Sequence, residues 1–155
     1  MYKIFKIDGK DYKVEYTIEA ALYEECTEAV MNFMVDSSTA ADAKDMKMLI
    51  KNMSNVPQIT LTLFYAGLLE HHGPSSGDGS VANLADAKRL ATQYFRENPD
   101  VEDANFYGLL NTLIGQMRED GFFKQIGLEQ MMTSSTSDIK KPQDRKKKIT
   151  KITAD

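Results

Sequence analysis

The sequence predicts a mainly α fold: a helical domain of about five to six helices, with an N-terminal β-hairpin and a disordered basic C-terminal tail. Apolar residues return at three- and four-residue steps through most of residues 17–132, the period of amphipathic helices. Strict alternation occurs only before Thr17, around the turn signal Asp8-Gly9. Beyond Met132 the periodicity stops and Ser, Thr and Lys dominate, a composition that buries too little apolar surface to offset its ordering entropy. One domain over 1–132, containing a hairpin at 2–16, and a flexible tail over 133–155 are therefore expected.

In the hairpin, Tyr12, Val14 and Tyr16 alternate with Lys13 and Glu15, and the run Tyr2–Ile7 is the partner strand. Asp8-Gly9 supplies the positive-φ residues of a tight turn. A lone hairpin is marginal in water, so this one is expected to pack on helices; an edge left open would accept a partner's strand. Thr17 caps a helix from Ile18 to about Val35, whose apolar face reads Ile18, Leu22, Cys26 or Ala29, Val30, Phe33 and Met34, with Glu24, Glu25 and Glu28 largely opposite. Asp36-Ser37-Ser38-Thr39 should end it and cap a second helix over 40–53, with Met46, Leu49, Ile50 and Met53 on one face.

The stretch Ile59–His72, ITLTLFYAGLLEHH, has no broad charged face and reads as a central core helix, opened by Pro57 or Gln58. Its apolar run is far too short for the roughly 20 residues that cross a bilayer, and no other segment suggests a membrane span or an export signal. Gly67 inside it costs about 1 kcal/mol relative to Ala, which points to a close crossing by another helix. His71-His72-Gly73-Pro74 stops the helix ahead of a Ser/Gly loop. Ser80 then caps a helix from Val81 to about Glu97, and Asp103-Ala104-Asn105 starts another with the stripe Phe106, Leu109, Leu110, Leu113, Ile114 and Met117. GFFKQIGLEQM closes the domain as a short helix or turn bent at Gly121 and Gly127.

Little in this pattern demands catalysis. Cys26 stands alone, which excludes an internal disulfide framework and a multi-cysteine metal site. Adjacent histidines on a helix point about 100° apart, so His71 and His72 do not chelate as an i, i+4 pair would; a favourable interaction with the helix C-terminus is the simpler role. The loop SSGDGS lacks the Lys-Ser/Thr ending of a phosphate-binding loop. No enzymatic activity, cofactor or metal is expected. From Asp138 onward seven Lys/Arg face three Asp, giving +4; with −4 for the whole chain, the first 137 residues carry −8. An acidic body with a short basic tail does not suit nucleic acid, whose binding domains carry basic residues on the folded face. The alternative reading is a small nucleic-acid-associated regulatory protein that uses this tail.

Taken jointly, YKIFKIDGKDYKVEYTIEAALYEE, PQITLTLFYAGLLEHHG, AKRLATQYF and MREDGFFKQIGLEQM resemble the tail assembly chaperones of long-tailed phages of Gram-positive bacteria, over about residues 1–132. The resemblance implies a non-enzymatic protein of the host cytoplasm, left out of the mature virion. Its partners would be the tape-measure protein, which it keeps soluble, and the tail-tube protein, with self-association as a further contact and no membrane. It also implies a longer frameshifted product in many members, and an A-rich slippery stretch of the gene would encode a run such as Lys146-Lys147-Lys148.

No site residues come with the resemblance. From composition, the client-binding surface is expected on the Met-bearing side of residues 31–53, at Met31, Met34, Met46 and Met53, and on the late apolar segment Phe122, Phe123, Ile126 and Leu128. Methionine makes adaptable binding surfaces, and a chaperone must display apolar area set among charges.

Overall fold

A computed structural model describes residues 1–42 and 54–128 of the chain. The fold is mainly helical with an N-terminal antiparallel hairpin. Residues Met1–Phe122 form one compact unit; a second begins at Phe123, of which residues 123–128 are described. The expected boundary at 132 and the tail beyond it lie outside the described residues, as does most of the helix expected over 40–53. Among the described residues no helix is long and apolar enough to cross a membrane.

Strands β1 (Lys3–Ile7) and β2 (Lys10–Val14) pair antiparallel, with Phe5 opposite Tyr12 and Ile7 opposite Lys10. The two-residue turn is made by Asp8 at φ 52° and Gly9 at φ 76°, the left-handed pair that matches the twist of the strands. Phe5, Ile7, Val14 and, just beyond β2, Tyr16 are buried, whereas Tyr2, Ile4 and Lys6 are exposed.

The expected single helix over 18–35 is divided. Helix α1 (Ile18–Leu22) starts at Thr17, whose hydroxyl accepts from the Glu19 N–H at 3.2 Å. It stops at Tyr23, which is extended at φ −83° and ψ 100°. Helix α2 (Glu24–Asp42) then runs straight through the expected stop at Asp36–Thr39. Residues 36–42 contain no Gly or Pro, and Ser or Thr inside a helix costs only a few tenths of a kcal/mol, so nothing there forces an end. The break at Tyr23 also splits the expected apolar face. Cys26 and Val30 are fully buried, but Ile18 and Leu22 are 65% and 73% exposed, because α1 turns Ala20 inward instead.

Helix α3 (Val56–His72) is the central helix and packs on β2, α1, α2, α4 (Leu84–Glu97) and α5 (Phe106–Glu119). Leu63, Phe64, Ala66 and Leu68 are at most 1% exposed. Its two buried threonines are satisfied within the helix: Thr60 donates to the Val56 carbonyl at 2.7 Å and Thr62 to that of Gln58 at 2.9 Å. On α5, Leu109, Leu110, Leu113 and Met117 supply buried apolar bulk facing α3. Helix α4 begins three residues later than expected. Asn83, not Ser80, is its cap, accepting from the Asp86 N–H at 3.0 Å, while the Ser80 N–H and hydroxyl turn back to Asp78. Helix α5 starts after Asn105, which accepts from the Gly108 N–H at 2.8 Å. The short α6 (Phe122–Gln125) lies between Gly121 and Gly127, at φ 70° and 79°.

Gly67 explains how the hairpin seats on α3. A Cβ there would lie 2.6 Å from Val14 Cγ1 and 3.0 Å from Tyr16 Cζ. The close neighbour of this glycine is therefore the hairpin, not the helix expected from sequence. The approach lets the Glu15 N–H donate to the Gly67 carbonyl at 2.9 Å and the Tyr16 hydroxyl to the Leu63 carbonyl at 2.7 Å.

Candidate interaction surface

Two sets of side chains stand apart from the apolar core: a polar junction where the hairpin meets the helices, and a group of apolar side chains left in solvent.

The junction is built from the C-terminal turn of α3, the end of β2 and the C-terminus of α5. His71 Nε2 lies 2.8 Å from Glu15 Oε1, and the other Glu15 oxygen accepts from the Met1 ammonium at 3.0 Å. Asp120, with its side chain only 3% exposed, accepts from the Tyr16 N–H at 2.8 Å and from Gln116 at 3.0 Å; Gln116 also donates to the Met1 carbonyl at 3.0 Å. Partial burial pushes the Glu15 carboxyl up, but the hydrogen bonds from His71 and the ammonium outweigh it and hold the group below its usual range. On the other side of the same turn, His72 Nε2 accepts from the Lys13 N–H at 2.9 Å. That bond assigns any ring proton to Nδ1, which faces Ser80 Oγ at 3.2 Å and Asp78 Oδ2 at 3.4 Å. Burial lowers the His72 pKa, favouring the neutral ring that the Lys13 bond requires.

A Glu–His pair at 2.8 Å has acid–base geometry, but here both Glu15 oxygens are engaged and the neighbouring groups bond to backbone. The junction acts as a latch that ties the first 16 residues to α3 and α5. Among the described residues no three His, Cys, Asp or Glu converge as metal ligands. Burial pushes the Cys26 thiol up to about 12, so it is an inert core group, as its place on the apolar stripe suggests.

Of the residues expected to bind a partner, Met31 is exposed and Met34 half-buried. Met46 and Met53 lie outside the described residues. Phe122 is fully buried with its ring 5.6 Å from that of Tyr16; Phe123 and Leu128 are buried, and Ile126 is half-buried. Large apolar side chains in solvent instead include Ile18 and Leu22, one helical turn apart on α1, together with Val101 and Tyr107 around the start of α5. Exposed Glu24, Glu25 and Glu28 follow directly on α2. Sequence reasoning missed Ile18 and Leu22 because their spacing to Cys26 and Val30 also fits one unbroken buried stripe. The break comes at Tyr23, whose ring packs edge-on against Tyr65 at 5.3 Å.

No protein-family model, curated protein or solved structure compared with this chain matches it.

Proposed function

We infer that this chain is a tail assembly chaperone of the kind found in long-tailed phages. In this reading it binds the tape-measure protein non-covalently, keeps that long helical client soluble in the host cytoplasm, and promotes assembly of tail-tube subunits around it without entering the virion. The observation that carries the reading is the exposure of Ile18 and Leu22 on α1, followed in the chain by the exposed acids Glu24, Glu25 and Glu28 at the start of α2. An apolar face rimmed by like charge can hold an amphipathic client helix while the complex stays soluble. The sequence resemblance adds to it, since its stretches supply the hairpin, the central helix α3 and much of α4.

The test is co-expression with a tape-measure protein, scoring how much of that protein stays soluble. Ile18→Asp and Leu22→Asp alter side chains that are mostly in solvent, so the fold should persist, as checked by circular dichroism. Loss of soluble client with either folded variant is expected. Undiminished solubility with the double variant would refute the assignment of this surface.

A further inference from the structure

The two outer edges of the hairpin are treated differently by the rest of the fold. Because the turn has two residues, Ile7 and Lys10 are the first hydrogen-bonded pair, followed by Phe5–Tyr12 and Lys3–Val14. The backbone groups of the intervening residues point outward. On β2 these are used: the Lys13 N–H reaches His72 Nε2 at 2.9 Å and the Glu15 N–H reaches the Gly67 carbonyl at 2.9 Å. On β1 the outward groups belong to Tyr2, Ile4 and Lys6, and among the described residues they meet no partner. Among the described residues this side is closed at the turn, where the Asp8 N–H donates to both Glu97 oxygens at 2.9 and 3.0 Å.

The open edge is also chemically marked. Tyr2 and Ile4 are 44% and 48% exposed, although large apolar side chains on a solvent-facing edge are the feature proteins usually avoid. Lys3 lies between them and Lys6 two positions beyond, and β1 has no acidic residue, in a body of net charge −8. Lys6 has only a loose cross-strand contact to Asp11, at 3.8 Å between two exposed side chains. Beneath the strand, Tyr94 of α4 is half-buried and packs edge-on against Phe5 at 5.4 Å, offering aromatic floor to anything laid beside β1.

We propose that β1 is an acceptor edge for an extended segment of a partner protein, in which two acidic residues lie opposite Lys6 and Lys3 and an apolar residue lies opposite Ile4. Residues 2–6 set the length, since Glu97 stops pairing at the turn. In antiparallel register the segment reads acidic, apolar, apolar, acidic, aromatic against Lys6, Phe5, Ile4, Lys3 and Tyr2. Backbone bonds from alternate residues supply affinity, and the two carboxylates supply selectivity. A second copy of β1 would bring its own lysines and is the less suited occupant. The edge is distinct from the Ile18–Leu22 display and stands independently of the chaperone reading.

The probe is a fluorescein-labelled peptide with the core Glu-Val-Ile-Glu-Tyr, titrated with the full chain by fluorescence anisotropy. Saturable binding is expected, weakened by about tenfold or more when both Glu are replaced by Lys or when the central Ile is N-methylated. In the chain, Ile4→Pro removes an outward N–H without touching the β1–β2 ladder and should abolish binding. Lys6→Glu should weaken the acidic peptide and favour the Lys version, which decides the matter if the proline variant does not fold. Equal binding of the N-methylated peptide, unchanged binding by folded Ile4→Pro, or no saturation at millimolar peptide each overturns the proposal. So does a concentration-dependent dimer of the chain alone that Ile4→Pro abolishes, which would assign the edge to self-pairing.

Discussion

Replacing Gly67 by Ala tests whether the hairpin is seated by close approach to α3. Helical Gly→Ala ordinarily gains about 1 kcal/mol. At Gly67 the added Cβ would sit 2.6 Å from Val14 Cγ1, inside a β2–α3 contact also held by the Glu15–Gly67 backbone bond. Overpacking of this kind costs about 1–3 kcal/mol, and stretching the backbone bond costs about 1 kcal/mol more. The net expectation is destabilisation by about 1–3 kcal/mol. Gly115, in the middle of α5, is the internal control: a Cβ there meets nothing within 4 Å among the described residues, so Gly115→Ala should stabilise by about 1 kcal/mol. The propensity gain cancels between the two variants and leaves a steric difference of about 2–4 kcal/mol. Urea unfolding followed by far-ultraviolet circular dichroism reads it as a change of midpoint at constant slope. A Gly67→Ala protein as stable as the Gly115→Ala protein would refute the seating argument.

Four further outcomes follow from the same geometry. Tyr16→Phe removes the buried bond to the Leu63 carbonyl at 2.7 Å and should cost about 1–2 kcal/mol in the same assay. His72 has a folded pKa below its ordinary 6.5, so the unfolded chain binds a proton more readily. Its contribution is complete above that value and is lost as pH falls from about 6.5 toward the folded pKa; His72→Gln, which can accept from Lys13 but does not titrate, should flatten the slope in that window. Glu15, whose folded pKa is lowered, acts in a separate window: its contribution is present above 4.5 and is lost as pH falls through the folded value, a loss that Glu15→Gln should remove. Cys26 should resist a thiol-specific disulfide reagent at pH 8 in the folded protein and react fully in denaturant, because burial keeps the thiol protonated and covered.

The hairpin and the central helix were legible because each rests on a local rule: period-2 alternation around Asp8-Gly9, and an apolar run bounded by Pro57 and Gly73. What remained hidden was set by contacts between distant residues. Nothing near Tyr23 in the sequence announces a bend, and the ring that Tyr23 meets there, Tyr65, lies on another helix. The exposure of Ile18 and Leu22 follows from that bend and was hidden with it. Gly67 correctly signalled a close approach, but a glycine cannot name what approaches, and Val14 and Tyr16 are more than 50 positions away. The surface expected at Phe122 was a reading of composition, which cannot distinguish a displayed phenylalanine from one buried beside Tyr16.

The latch on β2 also has a consequence for the order of events during synthesis. The first strands leave the ribosome long before their anchors: Lys13 waits 59 positions for His72, and Tyr16 waits 104 positions for Asp120. A two-stranded hairpin is marginal by itself, so until Gly67 and His72 have emerged this segment has both edges open and its aromatic side chains in water. Chains made at about 5–20 residues per second leave such a segment exposed for seconds. The hairpin is thus made well before it can be secured, and a chain truncated before Gly67 should emerge with both strand edges loose and prone to pair with those of its neighbours.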